Sequence, residues 1–375
     1  MPINQIQATI SLSRLDHNLK AIKSIISPQT RILAVIKANA YGHGFIPVAS
    51  HLQKQNIDYL GVARLCEALE LRSHQINTPI LILSPIHDNS LLQAVKNHID
   101  ITVISPLQVK KIIGLGQSLN ITPNLHLKID TGMNRSGTTT LNTLPLLKEI
   151  IENPSVNLQG VFTHFSSAES PDKKETDKQL KLFNQTIKKI KKHLPKHIKH
   201  ILIHSANSAA IISRKDTHFN MVRPGLSLYG LNPFTPHPNP VNLKPILKLE
   251  TFISRIHTAH QGETIGYGNT HFFKKDTPVA TIAVGYGDGL NLSPPWPHVS
   301  INQQLAPIIG QISMDQITLD ISKVTPKPKV NQSITLISWN KNHPCSVDKI
   351  SSQLNILNYQ ILTSLSPRIK REYIK

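Results

Sequence analysis

The sequence predicts an α/β protein: an N-terminal (β/α)8 barrel of the TIM type followed by a C-terminal mainly-β domain. Three observations predict it. Eight short runs rich in Ile, Leu and Val recur from about residue 30 to residue 230, and they are continuously apolar. That pattern suits strands buried on both faces, as in a parallel sheet. Segments with helical spacing lie between them. A proline-rich stretch, PFTPHPNPVNLKP at 233–245, then breaks the pattern, because proline removes backbone donors and fixes φ. The expected domains are therefore residues 1–240 and 241–375.

The eight runs are ILAVIKA (32–38), YLGVAR (59–64), ILILSP (80–85), DITVIS (100–105), NLHLKID (124–130), LQGVFTHF (158–165), HILIHSA (200–206) and MVRPGLSLYG (221–230). Helical spacing is clear in LCEALELRSHQI (65–76) and ETDKQLKLFNQTIKKIKK (175–192). Beyond the proline-rich stretch come short β-branched runs with turn signals: KLETFISRIHTA, DTPVATIAVGYGDG, PIIGQISMDQITLDIS and QSITLISW. The last segment, SVDKISSQLNILNYQILTSLSP, is compatible with a helix.

Composition narrows the setting. Hydrophobic residues make up 39%, enough for a sizeable core. The N-terminus, MPINQIQATISLSRL, has no apolar core of a signal peptide, and no apolar run approaches the ~20 residues that span a bilayer. Two separated cysteines, Cys66 and Cys345, make no disulfide framework or zinc cluster, and a reducing cytoplasm is the simpler setting. The formal charge is +19. Such a charge suits anionic partners, but it also suits a lysine-rich solvated surface, and only 5% of residues are aromatic and able to stack on bases. The basic run TIKKIKKHLPKHIKH (186–200) reads as an outer helix face rather than a nucleic-acid site. His193, His197, His200 and His204 cluster in sequence, but Pro195 interrupts them and no HExxH occurs, so no metal is expected.

In a barrel of this type the chemistry lies at the C-terminal ends of the strands. There the first run carries Lys37 near its end, within AVIKANAYGHG. Burial lowers an amine's pKa and makes it a nucleophile for an aldehyde. A lysine that simply leaves the strand for solvent fits the spacing equally well.

AVIKANAYGHG resembles the cofactor-binding signature of alanine racemases, fold type III enzymes dependent on pyridoxal phosphate. The resemblance continues in order through LKIDTGMNRSG (127–137), GVFTHFSSAE (160–169), HSANSAA (204–210), RPGLSLYG (223–230), GETIGYGNT (262–270), VGYGDG (284–289) and ISMDQITLDIS (312–322). It implies interconversion of L- and D-alanine, with supply of D-alanine for peptidoglycan, by a homodimer with composite active sites. The lack of a spanning apolar run and the few aromatic residues point to no membrane or nucleic-acid partner.

The resemblance also assigns residues. Lys37 carries the cofactor and acts as one base. Tyr267, supplied by the partner subunit, is the other, because exchanging a proton between opposite faces of Cα calls for two opposed groups. Tyr41, Ser208, Gly225, Leu226 and Tyr359 contact the phosphate. Arg223 faces the ring nitrogen; it is a donor only, so it leaves that nitrogen unprotonated. His164 hydrogen-bonds Arg223. Arg135 orients Tyr267 and binds the substrate carboxylate. Met314 and Asp315, also from the partner, line the substrate pocket, and Tyr286 lines its mouth. Lys128 matches a position that is carbamylated in part of the family. Two departures stand out: Ser11 replaces a usual aspartate, and the tail of GYGDGLNLSPP lacks the usual aromatic and arginine. The alternatives are a broader amino-acid racemase or a decarboxylase of the same fold, a barrel that only carries the cofactor, and a nucleic-acid binder.

Overall fold

A computed structural model describes residues 6–375; of the N-terminal stretch read for a leader, residues 1–5 lie outside the described residues. The chain forms two compact units. One comprises Leu19–Ala40 and Phe45–Leu228. The other runs up to Asn18 and takes in Tyr41–Gly44 and Tyr229–Lys375.

The first unit is a closed parallel barrel. Its strands are Arg31–Val35, Tyr59–Val62, Ile80–Ile82, Asp100–Val103, Asn124–Lys128, Asn157–Phe162, Leu202–His204 and Met221–Val222. Each falls within or beside one of the eight apolar runs. The eighth strand closes on the first through Arg31↔Met221 and Ile32↔Val222. The strands are shorter than the runs because each run continues into the loop at the strand's C-terminal end, where function resides. Size complementarity fills the interior. A Cβ on Gly61 would lie 2.3 Å from Leu33 Cδ2, so the second strand leaves space for the leucine of the first.

The helices around the barrel follow the apolar periodicity. The longest, Lys174–His193, buries Leu180, Phe183, Ile187 and Ile190 at i, i+3, i+7 and i+10, which is one helical face. Phe183 meets Phe219 edge-on with ring centroids 5.3 Å apart. The lysines of this helix lie on the remaining faces, so the basic run is here the solvated side of an amphipathic helix.

The second unit is built on an eight-stranded sheet. Its order is Thr277–Ile282, Ile317–Asp320, Gln304–Ile309, His298–Ile301, Ser333–Ile337, Leu247–Ala259, Ile6–Ser11 and Lys370–Ile374. The long strand Leu247–Ala259 pairs with Ser333–Ile337 through its first half and with Thr277–Ile282 through its second, so the sheet curls back on itself. The proline-rich stretch at 233–245 forms neither helix nor strand. The final segment holds two helices, Val347–Leu354 and Asn358–Thr363, before its strand.

The units differ from the expected division at 240/241 in three respects: the β-rich unit resumes at Tyr229, takes in Tyr41–Gly44 and includes the chain up to Asn18. Ile6–Ser11 belongs with the β-rich unit, pairing antiparallel with Leu247–Ala259 and parallel with Lys370–Ile374. Its alternating Ile6, Ala8 and Ile10 are the buried face of that sheet. Ser11, where an aspartate is usual, offers its hydroxyl oxygen to the Arg14 amide at 3.4 Å, so it stands at the start of helix Leu12–Lys23 as a capping residue. Among the described residues no helix is long and apolar enough to cross a membrane.

Phe183 is fully buried in the first unit. Phe183→Ala is expected to cost about 3–5 kcal/mol through the lost transfer energy and the cavity left behind. A lower urea midpoint with an unchanged slope is the expected reading.

Candidate active site

Lys37 follows the first barrel strand by two residues. The strand end is fixed by Val35 N–H bonding Pro224 O and Ile36 N–H bonding Gly61 O, each at 2.9 Å. The backbone then turns left-handed: Ala38, Asn39, Ala40 and Tyr41 have φ of 52°, 56°, 52° and 54°. Without glycine this costs roughly 1–2 kcal/mol per residue. Glu67 offsets part of that cost. Its carboxylate accepts the Ala38 amide at 2.7 Å, the Ala63 amide at 2.8 Å and the Arg64 amide at 3.1 Å. The turn is further tied by Asn39 Oδ1, which accepts the Phe45 amide at 2.8 Å. Burial and the Arg135 guanidinium lower the Lys37 amine's pKa, while Glu67 opposes them. The result is an amine held in place and biased toward its nucleophilic form.

Arg223 leaves the eighth strand and is only 3% exposed. Its Nη1 donates to His204 Nδ1 at 2.9 Å, and its Nη2 donates to Thr163 O at 2.8 Å, Ser205 O at 2.9 Å and His164 Nδ1 at 3.3 Å. These bonds engage one hydrogen of Nη1 and both of Nη2. The guanidinium has five donors, so Nε–H and the second Nη1–H are left for an acceptor such as a ring nitrogen. Burial brings the Arg223 pKa down to about 9, still cationic at neutral pH. His164 and His204 are held neutral by burial first and then by Arg223.

Ser208 opens the short helix after the seventh strand. Its Oγ is met by Gly225 N–H at 3.0 Å, Ser227 N–H at 3.1 Å and Ser227 Oγ at 3.1 Å. Two amides and two hydroxyls thus converge with nothing more negative than a hydroxyl between them, a donor set suited to a phosphate. Leu226 lies between Gly225 and Ser227 at the head of a 3-10 turn.

Lys128 ends the fifth strand, 5% exposed, and donates to Ser136 Oγ at 2.7 Å. Burial, then Arg135 and Arg223, push its amine down to about 8. Arg135 stands exposed on the loop that follows. Asp130 shapes that loop by accepting the Gly132 and Asn134 amides at 2.9 and 3.1 Å. The electrostatic neighbours of His164 are all cationic: Arg223, Arg135, Lys128 and Lys37. An excess of positive charge facing one imidazole calls for an anion. A phosphorylated pyridine aldehyde fits these residues: an amine for the aldehyde, spare arginine donors for the ring nitrogen, and the Ser208 cluster for the phosphate.

The remaining expected residues lie in the other unit. Tyr41 packs on Tyr229 at 5.0 Å and meets Tyr359 edge-on at 6.5 Å between centroids. Burial and then Tyr359 raise the Tyr41 pKa, keeping its hydroxyl a donor. Tyr267 is 71% exposed at the tip of a hairpin whose strands are Thr264–Ile265 and His271–Phe272. The tip needs φ of 80° at Gly266 and 67° at Gly268, which glycine adopts without strain. The Tyr286 and Met314 loops are zipped together: Tyr286 N–H bonds Ser313 O at 3.0 Å and Gly287 N–H bonds Met314 O at 2.9 Å. Arg368 clamps both loops, donating to Asp288 Oδ1 from Nε and to Asp315 Oδ1 from Nη2, each at 2.7 Å.

Sequence reasoning passed over Glu67, Asp100, His126 and Arg368. It met His204 only within a possible metal group. The structure separates that group: His204 is buried in the barrel, whereas His193, His197 and His200 are exposed. No cluster able to hold a metal ion occurs among the described residues. The one signal for the buried histidines was the interruption of apolar strands, in NLHLKID and HILIHSA.

Comparison with known proteins gives the family. Two family models match, "Alanine racemase, N-terminal domain" over residues 10–233 and "Alanine racemase, C-terminal domain" over residues 246–373. The alanine racemase of Methanococcus maripaludis is 33% identical, with 100% of each chain covered. The solved alanine racemase of Clostridium difficile 630 has a TM-score of 0.93 at 34% identity, covering 100% of this chain and 97% of that one. That of Bartonella henselae, with covalently bound pyridoxal phosphate, has a TM-score of 0.86 at 28% identity, covering 99% and 100%. The chain belongs to the alanine racemase family and is an enzyme of that family, with barrel and β-rich domain both present.

Proposed function

We propose that the enzyme interconverts L- and D-alanine with pyridoxal phosphate by a two-base mechanism, in a homodimer whose active sites each draw on both subunits. The carrying observation is the pairing, at one end of the barrel, of the Lys37 amine with the donor-only Arg223. The covalently bound cofactor of the Bartonella henselae relative supports the same choice. Pyridoxal phosphate, when bound, supplies an aldehyde that captures the substrate amine and a ring that withdraws electrons from Cα.

The chain's own groups then have distinct tasks. Ser208, Gly225 and Leu226 would hold the phosphate, and the family resemblance adds Tyr41 and Tyr359 to that role. Arg223, bonded to His164, would offer donors to the ring nitrogen, which would leave that nitrogen unprotonated and disfavour transamination. Arg135 and the Met314 backbone of the second subunit would hold the substrate carboxylate, with Asp315 of that subunit lining the pocket and Tyr286 its entry. Lys37 Nζ takes or returns the Cα proton on one face, serving the D-enantiomer. The Tyr267 hydroxyl of the second subunit does so on the other, serving the L-enantiomer. One proton leaves as one arrives, so the reaction is redox- and charge-neutral. The cellular role implied is cytoplasmic supply of D-alanine for peptidoglycan.

The direct test follows α-proton exchange and inversion of each alanine enantiomer in deuterated water. Lys37→Ala and Tyr267→Phe are each expected to lower interconversion by about 10²–10⁴-fold, the usual worth of a positioned acid or base. Exchange without inversion, or turnover confined to other amino acids, would replace this reading with the broader or different activity.

The composite site makes a second forecast. Lys37→Ala and Tyr267→Phe chains, unfolded together and refolded as a mixture, should regain about a quarter of native activity. Half of randomly paired dimers are hybrids, and each hybrid holds one intact site by two-fold symmetry. Recovery of nothing above the parent variants would place both bases in one subunit.

Lys128 is proposed to be carbamylated, its neutral amine adding carbon dioxide and releasing a proton. Its lowered pKa enlarges the neutral fraction as pH rises through about 8. With 13C-bicarbonate, a protein carbamate resonance should therefore grow across that range and vanish in Lys128→Ala.

A further inference from the structure

The interior of the barrel contains a line of polar groups that begins near its N-terminal end and finishes at Arg223. Asp100 opens the fourth strand and is 3% exposed. Its Oδ2 lies 3.2 Å from His126 Nε2, and His126 Nδ1 lies 3.2 Å from His204 Nε2. His204 Nδ1 in turn receives Arg223 Nη1 at 2.9 Å. Both imidazoles are fully buried. The line exists because the sixth strand, between the fifth and seventh, carries Gly160. A Cβ there would sit 2.3 Å from His126 Nδ1, so only glycine lets the ring cross to His204.

The protons in this line are determined by its ends. A guanidinium only donates and a carboxylate only accepts. Arg223 donates to His204 Nδ1, so the His204 proton sits on Nε2. That Nε2–H donates to His126 Nδ1, so the His126 proton also sits on Nε2, and it donates to Asp100. The His126–Asp100 contact is thus a hydrogen bond from a neutral imidazole. Asp100 is fixed as the acceptor end by two further donors, Asn124 Nδ2 at 3.0 Å to Oδ1 and the Tyr59 hydroxyl at 3.2 Å to Oδ2. Stacking of Phe162 on His204, centroids 4.7 Å apart and planes 7° apart, fixes the second ring's plane.

We propose that Asp100 is a positioning residue for the reaction: through His126 and His204 it sets both imidazole tautomers, keeps His204 Nδ1 an acceptor, and so holds the Arg223 guanidinium in the pose that meets the cofactor ring. Polarisation along such a chain strengthens each bond in it. Asp100→Asn reverses the line. An amide that donates to His126 Nε2 moves the His126 proton to Nδ1, which then moves the His204 proton to Nδ1, facing Arg223 donor to donor. The part played by Arg223 rests on the proposed function; the tautomers do not.

The test is 15N NMR of the histidine side chains in the full-length protein, with and without pyridoxal phosphate. His126→Gln and His204→Gln assign the signals. The wild-type protein is expected to show Nε2–H tautomers at both residues in both forms, and Asp100→Asn is expected to show Nδ1–H at both. Tyr59→Phe removes one donor but keeps the carboxylate, and it should leave the tautomers unchanged. In the loaded enzyme Asp100→Asn should lower kcat about ten- to hundredfold with little change in KM for alanine, the size of loss known for partners that orient metal-ligating histidines, and should shift the absorbance of the bound cofactor. Wild-type signals from Nδ1–H or doubly protonated rings would overturn the proposal, even if Asp100→Asn failed to fold. So would an Asp100→Asn protein with native tautomers. A tautomer reversal in protein that shows no racemisation in either form would uphold the line of protons while sinking the proposed function.

Discussion

A guanidinium buried in the barrel is the constraint to which the other parts of the barrel site are fitted. Taking an ion out of water costs several kcal/mol even after the surroundings relax, and the cost is met only by well-formed hydrogen bonds. Arg223 finds acceptors in Thr163 O, Ser205 O, His164 and His204. They come from the loops or ends of the sixth and seventh strands, so the position of the arginine fixes how those strand ends are arranged. The requirement also selects protonation states. Two histidines that share an arginine must both offer a lone pair to it, and burial beside a cation keeps both neutral. What remains of the arginine's donor capacity is what a ligand can use.

The other demand on the barrel is strain at Lys37. Four consecutive left-handed residues without glycine would unwind in a free peptide. They persist because the turn is tied on both sides: the strand end to Gly61 and Pro224 and the Ala38 amide to Glu67 at its start, and the Phe45 amide to Asn39 beyond it. Glu67 is thereby doubly used. Its three backbone bonds hold the turn, and its charge tempers the loss of basicity that burial and Arg135 impose on the lysine. A more depressed amine would bind an aldehyde readily but would be a poorer proton acceptor, so this balance matters to a residue asked to do both.

Much of the architecture was legible because buried parallel strands write themselves as apolar runs, and all eight barrel strands fall on such runs, even Met221–Val222 with two residues. The family resemblance picked out Lys37, Lys128, Ser208 and Arg223, and all four stand at or after strand ends, where a barrel of this type concentrates chemistry. Other features were not. The left-handed turn leaves no mark in KANAY, which has no glycine to announce it. Ile6–Ser11 alternates like any half-buried strand, and only long-range pairing assigns it to the β-rich unit. Asp100, His126 and His204 are widely separated in sequence, and the Gly160 that lets the histidines meet is indistinguishable in sequence from a turn glycine. Arg368 lies in a segment with few motif anchors, yet it holds Asp288 and Asp315 together.

The two proposed bases are supported very differently, and that difference bears on how the enzyme is assembled. Lys37 is anchored by its own unit. Tyr267 rides on a two-residue-per-strand hairpin and is largely exposed, as are Phe272 on the same hairpin and Met314. Side chains of this size left in water forgo about 25 cal/mol for each Å² of apolar surface, and a hydroxyl free to sample many rotamers is a poor acid or base. Both deficits are removed together if a second copy covers this surface. Association and catalysis then become one requirement: the surface that drives pairing carries the tyrosine that pairing must immobilise. An enzyme so built has no reason to rigidify Tyr267 within its own chain, and the glycines on either side of it are the residues least suited to do so.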